Sequence, residues 1–285
     1  PLHVADAAAA VTDAAVSPTA QALPSPESSV FKRSLVTGLD VAQSHFDNWR
    51  AGGEDSLAWT GHLDASGAYD HDKNLWENGL KLAYGQSRLD GLDPRKSADS
   101  IHADSTYTRR LNAYVNRYAC VVWDTQFVDG YQYFAGTTLT PRVVSKFMDP
   151  GYLTESLGLG FSQGDWFKFK VGAAVKQTFT DAYPSYADDP STTTIERFRN
   201  EPGVSSLTQV NWVLGPGLRL SSSLDLFSNL VASDQVVAQW DSQFSAKVNN
   251  WLTANLTMGM RYDKRVSTQR QLSQGLILGL SYSLF

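Results

Sequence analysis

The stretch that decides the fold is the last fourteen residues: Leu272-Ser273-Gln274-Gly275-Leu276-Ile277-Leu278-Gly279-Leu280-Ser281-Tyr282-Ser283-Leu284-Phe285. Leu276, Leu278, Leu280, Tyr282 and Leu284 share one parity. Gly275, Gly279, Ser281 and Ser283 share the other, with Ile277 as the exception. A strand sends alternate side chains to opposite faces. One face of this segment is therefore apolar and the other small and polar, and the chain stops on an aromatic. This fits the closing strand of a barrel whose outside meets lipid and whose inside meets water. The last strand of a soluble sandwich would carry a similar alternation, so the rest of the chain has to separate the two.

Working back from that segment, the pattern predicts about twelve strands. They fall near 33–46, 55–70, 74–89, 99–110, 114–128, 152–163, 165–179, 203–214, 217–229, 235–248, 251–264 and 273–285. The alternation is plain in Phe167, Phe169, Val171, Ala173 and Val175 against Lys168, Lys170 and Lys176. It is equally plain in Leu218, Leu220, Leu224 and Leu226 against Arg219, Ser221, Ser223 and Asp225. Links after even-numbered strands are mostly short, such as Gln163-Gly164, Gly215-Pro216 and Asn249-Asn250. Links after odd-numbered strands are mostly longer, such as Asp129 to Gly151 and Thr180 to Pro202. Short periplasmic turns and long outer loops are the habit of outer-membrane barrels, and a sandwich has no reason to alternate in this way. The expected fold is an all-β, transmembrane antiparallel β-barrel of about twelve strands over residues 30–285, preceded by a short N-terminal extension, 1–29.

Composition is consistent with this. The chain has 285 residues, 42% apolar and 19% charged, and no run reaches the eighteen or so apolar residues of a membrane helix. Only every second strand residue of a membrane barrel has to be apolar, so a polar average is no objection. Aromatics make up 12%, with eight Trp and twelve Tyr, which favour membrane–water boundaries. A net charge of -5 argues against a nucleic-acid partner. The single cysteine, Cys120, forms neither an internal disulfide nor a CxxC pattern and reads as a small wall residue. The start at Pro1, without a basic and apolar leader, reads as a processed chain whose export signal has been removed. Residues 1–29 are rich in Ala, Pro, Ser and Thr and lack aromatics, so their ordering would require a surface outside themselves. An even strand count puts both termini on the periplasmic side.

From Asn48 to about Phe127 the chain resembles a known family. The residues that carry the resemblance are Asn48-Trp49-Arg50-Ala51-Gly52-Gly53-Glu54-Asp55-Ser56, Trp76-Glu77-Asn78-Gly79-Leu80, Leu82-Ala83-Tyr84-Gly85, Arg95-Lys96-Ser97 and Thr125-Gln126-Phe127. The family is an uncharacterised set of outer-membrane proteins, of unknown function, from Bacteroidota and related bacteria. The resemblance implies location and fold, and carries over no functional residue.

The strongest constellation is electrostatic. The lumen-facing parity carries Lys81, Lys168, Lys170, Lys176, Arg219, Lys247 and Arg261, together with Asp64, Glu77, Asp225 and Asp241. These residues would line a water-filled path, or pair and brace a constricted lumen. Twelve strands make a narrower barrel than the open porins, which favours constriction. Trp59, Tyr69, Trp76, Trp166, Trp212, Trp240, Trp251, Tyr262 and Tyr282 are the expected aromatic belts at headgroup depth. His62 with Asp64, and His102 with Asp104, have the spacing of a carboxylate-held base. Both pairs share the polar parity, where a hydrogen bond accounts for them and a lipid-cleaving site would not be. Asp90, Asp93, Asp181, Asp188 and Asp189 lack the spacing of an EF-hand loop and read as solvated charge. No metal or cofactor motif is present.

The function expected is a narrow channel or structural component of the bacterial outer membrane, without catalytic activity, in contact with outer-membrane lipid. A second reading is an accessory subunit of an envelope assembly, docked to a protein partner through its wall or its 1–29 tail. A third is an outer-membrane hydrolase.

Overall fold

A computed structural model describes residues 31–44, 56–89, 91–133, 141–189, 192–231, 236–249, 252–264 and 269–283. The 1–29 extension and Trp251 lie outside the described residues, as do the side chains of Ile277 and of residues 279–283. The described residues form fourteen β-strands and one 3-10 turn, Pro184–Tyr186. The strands are β1 (Phe31–Ser44), β2 (Ser56–His71), β3 (Asn74–Leu89), β4 (Arg95–Arg110), β5 (Val115–Thr125), β6 (Gly130–Gln132), β7 (Arg142–Ser145), β8 (Gly151–Gln163), β9 (Phe167–Phe179), β10 (Phe198–Gly215), β11 (Leu218–Asn229), β12 (Val236–Lys247), β13 (Leu252–Asp263) and β14 (Gln271–Ser283). Twelve of them pair antiparallel in chain order, and β1 pairs with β14, for example Leu39 with Leu280, to close the ring. Among the described residues this seam runs over Val36–Asp40 and Gly279–Ser283.

Three features depart from the sequence reading. The link between β5 and β8 contains the two-stranded hairpin β6–β7, which short mixed segments did not signal. Strand β4 begins at Arg95 instead of near 99, because a bulge after Gly85 lets the ladder continue to Lys96 and Arg95. Strand β10 begins at Phe198 and runs through Pro202, where the expected start was 203. In an antiparallel strand the N–H and C=O of one residue point to the same side. The Pro202 carbonyl accepts the Leu230 amide (3.0 Å), just past the end of β11, so the missing N–H faces a side where pairing has already stopped.

The two ends of the barrel differ. At one end the strands turn tightly. Gly215-Pro216-Gly217-Leu218 has proline at the first central position and Gly217 at φ 75°, a conformation that favours glycine. The Asn112 side chain accepts the amides of Tyr114 (2.9 Å) and Val115 (2.7 Å) to form the β4–β5 turn. At the other end the longer links tie to one another. Asp99 accepts the amides of Phe127 (2.7 Å) and Val128 (3.1 Å), and Lys96 donates to the same carboxylate (2.8 Å). Asp149 accepts the amides of Asp181 (3.0 Å) and Ala182 (2.7 Å). The Asp189 amide and then the Thr192 hydroxyl donate to Glu196, holding its carboxyl below the usual range.

The register assigns the faces. Glu77 on β3 and Lys168 on β9 are separated around the ring by β4, β5 and β8, yet their side chains meet at 3.4 Å. They can meet only through the interior, so their parity is the inner face. Neighbouring pairs carry this assignment around the ring: Lys81 faces inward with Asp64 and His102, and Asp225 with Leu207 and Gln239. The opposite parity is the outer face. It exposes Leu157 (66%), Leu159 (57%), Leu276 (76%) and Leu278 (58%). Only eight apolar residues are buried among the described residues, and four of them are alanines (Ala83, Ala98, Ala174 and Ala187). A sandwich of this length would bury a thick apolar core between its sheets; this barrel turns its apolar side chains outward.

Candidate functional site

All eleven charges expected on the lumen side lie on the inner parity of the ring. Those on β2, β3 and β9 cluster. Lys81 stands opposite Asp64, which is only 5% exposed, and opposite His102 on the next strand. Lys168 reaches Glu77 through the lumen. Lys170 lies over the Tyr118 ring at 5.4 Å, and Lys176 over the Tyr152 ring at 5.2 Å. These three lysines share one strand because strand period two places 168, 170 and 176 on one face. In the other half of the ring, Arg261 pairs with Asp241 at 2.8 Å. Among the described residues Arg219 and Lys247 make no ion pair; both point inward near the tight-turn end.

The histidines are held otherwise than their sequence neighbours suggest. His62 Nδ1 sits 3.5 Å from Asp40 on β1, not against Asp64. His102 Nδ1 lies 2.7 Å from Asp124 on β5, while its Nε2 lies 3.6 Å from Asp104. Asp40 and Asp124 are thus site residues that sequence spacing missed, since cross-strand partners depend on register and not on separation along the chain. Both ring nitrogens of His102 face carboxylates, which suits an ionic brace better than a base awaiting a serine. Cys120 is also on the inner face, half-buried, and accepts the Thr106 hydroxyl at 3.2 Å.

Tyr118 closes the cluster against the wall. It is 6% exposed and stands in register between Thr108 on β4 and Gly158 on β8. Gly158 in turn pairs with Gly172. A Cβ on Gly158 would stand 2.1 Å from the Val171 carbonyl, so the wall bends too sharply there for any side chain.

The inner face is nonetheless wet. Side-chain exposure is 34% for Lys168, 36% for Glu77 and His102, and 47% for Asp124. Between its charges, the inner wall on β11 to β13 carries neutral side chains that hydrogen-bond to one another. There Gln243 Nε2 and the Ser245 hydroxyl both donate to Asn255 Oδ1 at 2.8 Å. Chemically, the site is a partly exposed, charged inner face on which side chains of β3 and β9 meet through the lumen.

The expected belt aromatics whose side chains are described fall towards the two ends of the barrel. Tyr69, Trp76, Trp166 and Trp212 lie beside the tight turns, and Trp59, Trp240 and Tyr262 towards the long-loop end. Trp76 donates to Ser105 (2.9 Å) and Trp240 to Ser222 (3.0 Å), so both indoles keep a polar partner on an apolar wall. The outer parity also holds charges that the sequence reading did not pick out: Glu155 on β8, and Arg109 paired directly with Arg117 between β4 and β5.

No curated protein matches this chain. The fold is similar to an outer-membrane channel from Pseudomonas putida F1, at 13% identity and a TM-score of 0.43, over 94% of this chain and 98% of that one. It is similar to the beta domain of the Bordetella autotransporter Brka (11%, TM-score 0.38, 90% and 100%) and to the CymD monoaromatic hydrocarbon channel (12%, 0.38, 88% and 87%). Residues 41–131 match the family described as "Protein of unknown function (DUF3078)", a span that contains the whole segment whose motifs suggested a family.

Proposed function

We propose that this chain is a non-catalytic barrel of the bacterial outer membrane that forms a narrow, hydrated channel with a charged constriction. The observation that carries this reading is the Glu77–Lys168 contact through the lumen, with each side chain about a third exposed. Water reaches the pair, yet the pair bridges part of the lumen between β3 and β9. Membrane location is supported by the outer face, where leucines 57–76% exposed would stand uncovered in water. The short-turn end, with both chain ends, is then periplasmic, and the long loops face outward. The absence of catalysis is supported by His102, whose two nitrogens are both engaged by carboxylates.

Planar-bilayer recording tests the proposal. The wild-type chain should give small, discrete conductance steps. Glu77→Gln combined with Lys168→Gln removes this ion pair and should enlarge them. A bilayer-inserted protein that stays silent in both forms would replace the channel with a purely structural component.

A further inference from the structure

On the outer wall, one register row reads Trp76, Tyr107, Ala119, Leu157, Ala173 across β3, β4, β5, β8 and β9. The two alanines leave room on either side of Leu157. A groove of about 770 Å³ runs over this row, and a second of about 350 Å³ adjoins it beside Tyr107, Ala119 and Leu157. One outward position nearer the tight turns, Arg109 and Arg117 stand directly opposite each other. Both are exposed, and among the described residues neither has an ion-pair partner. Like charges directly opposite on neighbouring strands destabilise a sheet. One anion between them would reverse that sign. On the far side of Leu157, one outward position towards the long loops, Glu155 lines the same groove and repels an anion there.

We propose that this groove seats one anionic glycerophospholipid of the periplasmic leaflet, with its phosphate between Arg109 and Arg117 and an acyl chain lying over Ala119 and Ala173. The placement of the arginines and Glu155 at opposite margins sets the direction of the lipid. Trp76 and Tyr107, hydrogen-bonded to Ser105 (2.9 Å) and Asn74 (2.7 Å), flank it at headgroup depth. The proposal rests on the membrane location argued above.

The test reconstitutes the full chain into nanodiscs of equal phosphatidylglycerol and phosphatidylethanolamine, then re-extracts it and reads retained lipid by native mass spectrometry. Wild type should retain phosphatidylglycerol in about tenfold preference. Arg109→Gln with Arg117→Gln should bring the preference close to parity. Ala173→Trp, with both arginines intact, should lose retained lipid of either kind. Heat-modified gel migration shows that each variant is folded; if Ala173→Trp fails it, Ala119→Trp takes its place. An unchanged preference in the arginine variant, or full lipid retention in the groove variant, overturns the seat. So does a second copy of the chain cross-linked through Val121→Cys in place of lipid. A wild-type chain that does not enter nanodiscs overturns the membrane reading and the seat together, whereas insertion without preference overturns the seat alone.

Discussion

Strand β9 shows two opposite chemistries on one backbone. Its outer parity is apolar, with Val171 and Ala173 exposed and Val175 partly so, while its inner parity, Lys168, Lys170 and Lys176, is drawn into contacts with Glu77, Tyr118 and Tyr152. In a water-soluble protein the exposure would be reversed, because uncovered apolar surface costs about 25 cal/mol per Å². The same inversion recurs on β3, where Trp76 is 51% exposed and the neighbouring Glu77 is engaged through the lumen. The difference between faces is the one that the proposed membrane location requires: an apolar surface outside, and charge drawn inward.

The largest effect should come from crossing that boundary. Leu220→Arg or Leu256→Arg places a guanidinium on the outer face and should cost about 2–4 kcal/mol of bilayer folding stability near the midplane. Ser223→Arg, on the inner face opposite Asp241, should cost less than about 1 kcal/mol. Urea titration of folding into liposomes measures both, and equal losses would erase the distinction between faces. Next in size, Gly158→Ala forces a Cβ to 2.1 Å from the Val171 carbonyl on the inner bend and should cost about 1–3 kcal/mol. On the outer face the nearest atom to a Cβ on Gly61 is 3.9 Å away, so Gly61→Ala should be neutral within about 0.5 kcal/mol in the same assay. Glu77→Gln alone should cost about 1 kcal/mol or less, since the ion pair is a third exposed, while its conductance effect should be plain. Smallest, Glu155→Gln removes a carboxylate from the outer face and should leave stability unchanged or raise it by about 1 kcal/mol at most.

Much of the fold was legible before any coordinates. Periodicity placed all twelve ring strands, because each buries or exposes alternate residues, and it put the lysines of β9 on one face. What it left unread depended on register. Asp64 was the natural neighbour for His62, yet Asp40 holds it, because a partner across the ladder lies far along the chain. Asp124 was overlooked for the same reason, although Asp104 does stand near His102. The β6–β7 hairpin is too short for its alternation to stand out. The start of β10 was lost behind Pro202, whose missing donor matters only where a neighbouring strand needs it. The paired arginines of the outer wall were hidden because Arg109 and Arg117 become neighbours only once β4 and β5 are aligned.

Which face meets lipid is the central claim, and collision-accessibility measurements on nitroxide labels test it most directly. In a Cys120→Ser background, single labels at 168, 171, 173, 175 and 176 are read in bilayers against oxygen and against a water-soluble nickel chelate. The account predicts oxygen contact at 171, 173 and 175 and nickel contact at 168 and 176. Uniform accessibility along β9, or nickel contact at the outer positions, would contradict it.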